Sequence, residues 1–264
     1  MTPIDTLSKK QAEGIEFILA DIDDTLTEEG RLLPEAFAAL WRCRTAGYHV
    51  IPVTGRPAGW CDCIARQWPV DGVVGENGAL AFYSNGTKLE RIYHPSIQAE
   101  EGVEKLESIR KDVLQSIPGT RVAKDQFCRM FDLAIDFAEE EPVLPLETAE
   151  KIKKTCERHG AVAKISSIHV NTWFGDYDKL SMVLHFLKTN WGIDEKGAKQ
   201  KVIFCGDSPN DAPMFSYFPL SCGVGNIRQF EKYLDAEPQF VTEAWYGRGF
   251  AEMAAKILSY SSQK

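Results

Sequence analysis

The chain has 264 residues, 44% of them hydrophobic and 26% charged, with a formal net charge of −8. That length can hold one large domain or two smaller ones around a sizeable core, and the composition is that of an ordinary globular protein. The acidic balance excludes a basic nucleic-acid-binding face, and no stretch approaches the roughly 18 apolar residues that cross a bilayer.

Residues 1–16 are polar and carry Lys9 and Lys10, with no apolar signal core after them. A cytoplasmic location without membrane or nucleic-acid partners is therefore expected. The run Ile15 to Ala20 reads as a buried strand ending in Asp21, Asp23 and Asp24. Thr27 to Arg31 reads as a polar turn, and Pro34 opens a helix to about Ala46 with Phe37, Leu40 and Trp41 on one face. A strand over Tyr48–Val53 ends in Thr54-Gly55-Arg56-Pro57, a helix follows over about Ala58–Gln67, and a third strand over Gly72–Gly75 ends in Glu76-Asn77-Gly78. Three strand–helix steps in series predict a doubly wound, Rossmann-like α/β core with a parallel sheet.

The rhythm then changes. Ser84-Asn85-Gly86-Thr87 between apolar runs predicts a hairpin. A charged helix over about Glu100–Ser116, a strand over Phe131–Phe137, a solvated loop at Glu139-Glu140-Glu141-Pro142, a helix over Leu146–His159 and a strand over Ala161–Val170 follow. His169, Asn171 and Trp173 alternate on the strand that leads back. This block, 81–175, reads as an inserted α+β cap between core segments 1–80 and 176–264. After it come a helix from Asp178 to about Asn190, a buried strand over Lys201–Cys205 ending in Gly206-Asp207-Ser208-Pro209-Asn210-Asp211, a short helix, a short strand over Leu220–Val224 and a tail helix over about Arg248–Ser259. The seven cysteines lie singly except for Cys61 and Cys63, whose spacing does not suit a zinc knuckle, so they read mostly as small buried hydrophobes.

Buried strands do not ordinarily run into three carboxylates, because unpaired charge in a low-dielectric interior costs several kcal/mol per ion. In a parallel sheet the strand ends lie along one edge, so Asp21 and Asp23, Thr54, Asn77, and Asp207 and Asp211 converge there. With Lys179 at a helix start, these are the ingredients of phosphoryl transfer: a nucleophile, an acid/base, positive charge and acids for a hard cation.

Asp21-Ile22-Asp23-Asp24-Thr25, Val53-Thr54-Gly55-Arg56, Asp178-Lys179 and Gly206-Asp207-Ser208-Pro209-Asn210-Asp211 resemble the four ordered motifs of the haloacid dehalogenase superfamily. More narrowly, they resemble its sugar-phosphatase-like members with a large cap inserted after the third core strand. The resemblance implies a Mg²⁺-dependent phosphatase acting on a small phosphate monoester. Asp21 would be the nucleophile and form an aspartyl-phosphate, and Asp23 would be the acid/base. Mg²⁺ would be held by Asp21, the backbone carbonyl of Asp23, and Asp207, with Asp211 close by. Thr54 and Lys179 would bind the phosphoryl group, with Gly55, Arg56, Asn77 and Asn210 completing the substrate contacts. Asp24 stands where the commoner motif has glycine, and Leu180 where glycine often follows the lysine.

Structural alternatives stay open at this stage. Thr54 could cap the helix after Pro57, Lys179 could be a surface lysine after the capping Asp178, and Asp211 could be a partner of Lys179. Arg56 could be a ligand clamp or a tether. A phosphomutase would use the same aspartyl-phosphate. A receiver domain gathers similar residues, but is about half this length and has its phosphoacceptor on the third strand. The oligomeric state is left at monomer or homodimer.

Overall fold

A computed structural model describes residues 1–97, 99–166 and 168–261. Its centre is a six-stranded parallel sheet in the order Thr2–Pro3, Phe240–Val241, Leu220–Gly223, Val202–Gly206, Phe17–Ala20, His49–Pro52. Alternation along the Phe17–Ala20 strand explains its burial on both faces. Ile18 and Ala20 join a cluster with the helices Pro34–Thr45, Ala58–Gln67 and Tyr246–Ser261. Phe17 and Leu19 join the cluster on the other face, with Lys179–Trp191 and Ala212–Tyr217. The doubly wound α/β expectation is met.

The third strand, Gly72–Gly75, attaches to this sheet through a parallel bridge between Val53 and Val74. It then pairs antiparallel with the hairpin Leu80–Ser84 and Leu89–Tyr93. Sequence rhythm placed that hairpin in the inserted block. Its hydrogen bonds run to the core instead, and Leu80, Ala81 and Phe82 pack in the two core clusters.

A separate four-stranded antiparallel sheet has the order Val162–Ile165, His169–Trp173, Asp132–Asp136, Arg121–Val122. The expected single strand over Ala161–Val170 is thus a hairpin that turns between Ile165 and His169. Helices Ala99–Ser116 and Leu146–Arg158 cover one face, where Leu133, Ile135, Ala163 and Val170 meet Ile109, Val113 and Ile152. Residues of the opposite alternation, including His169 and Asn171, turn to the core and roof its strand ends.

Three further local expectations change. Trp41 is 53% exposed, because the Pro34–Thr45 helix meets the Tyr246–Ser261 helix through small residues at Ala36, Ala39 and Cys43 together with Leu40. The 27–31 turn is part of a short hairpin, Thr27–Glu28 with Arg31–Leu32. The helix Glu195–Lys201 and the two-residue strands Thr2–Pro3 and Phe240–Val241 went unpredicted. Cys43, Cys61, Cys156, Cys205 and Cys222 are buried and unbridged, as small hydrophobes would be. Among the described residues no helix is long and apolar enough to cross a membrane.

Candidate active site

The carboxyl ends of Phe17–Ala20, His49–Pro52 and Val202–Gly206 open into a pocket under the inserted sheet. Asp21, Asp23, Gly55, Arg56, Asn77 and Lys179 line it, with Asp207 and Asn210 from the third end. Asp21 follows its strand directly and is 5% exposed. Its Oδ1 accepts the Ile22 N–H at 2.8 Å, and Oδ2 lies 3.1 Å from Lys179 Nζ. The chain then folds back sharply: the N–H groups of Thr25, Leu26 and Thr27 all return to the Ile22 carbonyl, and Asp24 takes φ 58°. A left-handed φ accounts for the glycine commoner at this place, and aspartate is among the few side chains that tolerate it.

Lys179 begins its helix, with Asp178 as N-cap accepting the Ser181 N–H. Its Nζ is 3.1 Å from Asp21 Oδ2 and donates to Asp211 Oδ1, also at 3.1 Å. Burial pulls the lysine pKa down, but the two carboxylates outweigh it and hold the pKa above its ordinary value, so the group is an ammonium. The turn Glu76–Gly78 abuts this helix start. Gly78 has φ +105°, and any Cβ on it would collide with the Asp178 carbonyl.

Thr54 and Asp211 are fully buried and hold the wall residues in place. Thr54 Oγ1 accepts the Arg56 N–H at 3.0 Å and so shapes the loop; the N-cap of the next helix is Pro57. Asp211 joins Lys179 Nζ to the Asp207 N–H, which reaches Oδ2 at 3.2 Å. Thr25 Oγ1 donates to Asp207 Oδ1 at 3.0 Å. Asn210 sits beside Asp207, its Oδ1 accepting from Ser208 Oγ at 3.0 Å.

Arg56 is both clamp and tether. Nε and Nη2 donate to the Asp23 carboxylate at 2.8–3.0 Å, and Nη1 donates to Glu139 Oε1 of the inserted unit at 3.3 Å. The guanidinium also stacks 4.5 Å from the Trp60 ring. Glu139 sits in the exposed loop expected there, yet its carboxylate is tied on both oxygens. Its Oε2 lies 2.9 Å from His169 Nε2, and that hydrogen bond, with help from Arg56, holds its pKa down at about 2.

Glu76 is a residue that sequence reasoning missed. It is fully buried at φ 45°, and its two oxygens accept the N–H groups of Ala58 in the core and of Met130 and Phe131 in the inserted unit, at 2.7–2.9 Å. Burial and the nearby Asp132 charge raise its pKa to about 7. Asn77 Nδ2 donates to Asp132 Oδ2 at 3.2 Å, and Arg129 Nη1 donates both to Asp132 and to the Gly55 carbonyl. A bare acidic residue followed by Asn-Gly gives only a turn signal, so nothing in the local sequence marked this junction.

The donor set fits a hard divalent cation. Asp21, Asp207 and Asp211 are all buried and each offers an oxygen, with these atoms within 4.8 Å of one another. Burial, followed by mutual repulsion, raises Asp207 well above the carboxylate range. Asp21 rises to about 7 despite Lys179. One ammonium leaves this cluster short of positive charge, and carboxylate oxygens are the ligands such ions select.

Residues 18–117 match the family model for haloacid dehalogenase-like hydrolases. Over 251 residues, 93% of this chain and 97% of the relative, the sequence is 27% identical to a phosphoglycolate phosphatase of Pyrobaculum neutrophilum. The fold resembles a crystal structure from Thermoplasma acidophilum, with TM-score 0.70 and 20% identity over 92% of this chain and 98% of that one. It also resembles the sucrose-phosphatase of Synechocystis, with TM-score 0.62 and 14% identity over 91% and 97% of the two chains. The match to the haloacid dehalogenase-like hydrolase model begins inside the strand that delivers Asp21 and runs to residue 117, and the likeness of fold to the solved structures extends across the inserted sheet.

Proposed function

We propose that this hydrolase, a phosphatase, cleaves a small phosphate monoester through an aspartyl-phosphate intermediate, with Mg²⁺ as its metal. The observation that carries the reading is the meeting of Asp21, Asp23, Lys179 and Asp207 in one pocket. In the first step a carboxylate oxygen of Asp21 attacks phosphorus while the bond to the ester oxygen breaks, and Asp23 gives its proton to the departing oxygen. In the second step Asp23 takes a proton from water, whose oxygen attacks phosphorus. The Asp21–phosphorus bond breaks, and the carboxylate and inorganic phosphate are released. Lys179 would offset charge on the phosphoryl oxygens, and Gly55, Asn77 and Asn210, which line the pocket, would donate to them, while Thr54 is buried behind the loop and holds the Arg56 N–H. Arg56 orients Asp23. Mg²⁺ held by Asp21, the Asp23 carbonyl and Asp207, with Asp211 beside them, would supply further positive charge against the phosphate dianion.

The inserted sheet roofs the pocket with His169 and Asn171, which favours small substrates over phosphoproteins. A panel of phosphate esters incubated with Mg²⁺ tests the reading, with phosphoglycolate first because the Pyrobaculum relative is named for it. Inorganic phosphate is the expected product. Isomerised sugar phosphate in its place would point to a phosphomutase, and no turnover of any ester would refute the proposal.

A further inference from the structure

Asn171 lies at the middle of the His169–Trp173 strand, paired with Ala134 on one side and Lys164 on the other. Val170 turns to the helices, so alternation turns His169 and Asn171 to the core, where both line the pocket with Asp21 and Asp23. Asn171 is 4% exposed, yet its Oδ1 has no hydrogen-bond partner among the described residues. Asparagine is a poor strand former, and an unpaired buried amide oxygen is destabilising; a fold keeps such a group where something else donates to it. Gly55 supplies a second, independent observation. A Cβ there would lie 2.9 Å from Asn171 Nδ2 and 3.0 Å from Asn77 Oδ1. Glycine thus lets the amide settle against the loop that flanks the phosphoryl site, close to where the ester oxygen must lie.

Resting on the phosphatase reading above, we infer that Asn171 determines specificity by accepting a hydrogen bond from a hydroxyl of the leaving alcohol, a few bonds from the ester oxygen. A carboxylate would face the Asn171 acceptor oxygen, and an ammonium would meet Arg56 and Arg129 in the same pocket.

The test compares glycerol 1-phosphate with propyl phosphate, in the presence of Mg²⁺, on the wild-type protein and on Asn171→Leu and Asn171→Asp. Wild type is expected to favour the hydroxylated ester in kcat/KM by at least about tenfold. Leucine, of similar volume, should bring the ratio to within about twofold of unity, while aspartate, which keeps an acceptor oxygen, should retain the preference. A wild-type ratio near one, or a ratio unchanged in the leucine variant, overturns the inference while leaving the phosphatase reading intact. The wild-type ratio decides the matter alone if the leucine variant does not fold. Release of phosphate from neither ester nor any other would instead bring down the phosphatase reading, and this inference with it.

Discussion

At Asp21 and Asp207, burial and the crowding of like charges act in the same direction: both carboxyls hold protons more tightly than they would in the unfolded chain. Folded protein therefore binds more protons than unfolded protein from about the ordinary aspartate value of 3.8 up to about 7. Stability of the metal-free protein should fall as pH rises through that window, because the charged forms are disfavoured only in the fold. A divalent cation removes the penalty where the acids are ionised. Adding Mg²⁺ should raise the melting temperature clearly at pH 8 and much less at pH 5, where protons already neutralise the cluster. An equal rise at both would contradict the assignment. The acids of this cluster were legible from their strand-end positions, and so was Asp211 as a partner for Lys179. That Arg56 grips Asp23 and that Glu139 binds His169 was not, because these contacts join residues distant in sequence.

At the scale of elements, the turn Glu76–Gly78 is the junction between the core and the inserted unit. Glu76 and Asn77 both adopt positive φ, a strained geometry for residues with side chains, kept here because their partners fix it. Glu76→Ala would leave the N–H groups of Ala58, Met130 and Phe131 without their acceptor. The expected loss in urea unfolding at pH 7 is about 3 kcal/mol or more; a loss below about 1 kcal/mol would show that these groups find other partners. Periodicity located the long helices and core strands because each buries a continuous apolar face. It could not find Thr2–Pro3 or Phe240–Val241, two residues each, which are strands only because a parallel neighbour lies beside them. It also ran through the turn between Ile165 and His169, where no glycine, proline or asparagine breaks the pattern.

Across the whole molecule, the proposed chemistry and the proposed recognition fall on opposite walls of one pocket. The parallel core supplies Asp21, Asp23, Lys179 and Asp207, and the inserted sheet supplies His169 and Asn171. The order of the four core motifs made the first wall readable, since a parallel sheet brings its strand ends together whatever is inserted between them. The second wall was readable only as an alternating strand, because which of its faces meets the core depends on how the helices Ala99–Ser116 and Leu146–Arg158 cover the other. The account as a whole stands on Asp21 as the attacking group. Its most direct test is phosphate release from the ester panel in Mg²⁺ by wild type and by Asp21→Asn, with circular dichroism to confirm that the variant is folded. The account predicts turnover by wild type and a loss of at least about a thousandfold in the folded variant, since the amide cannot form the acyl-phosphate bond. A folded Asp21→Asn protein that still releases phosphate at a rate near wild type would contradict it.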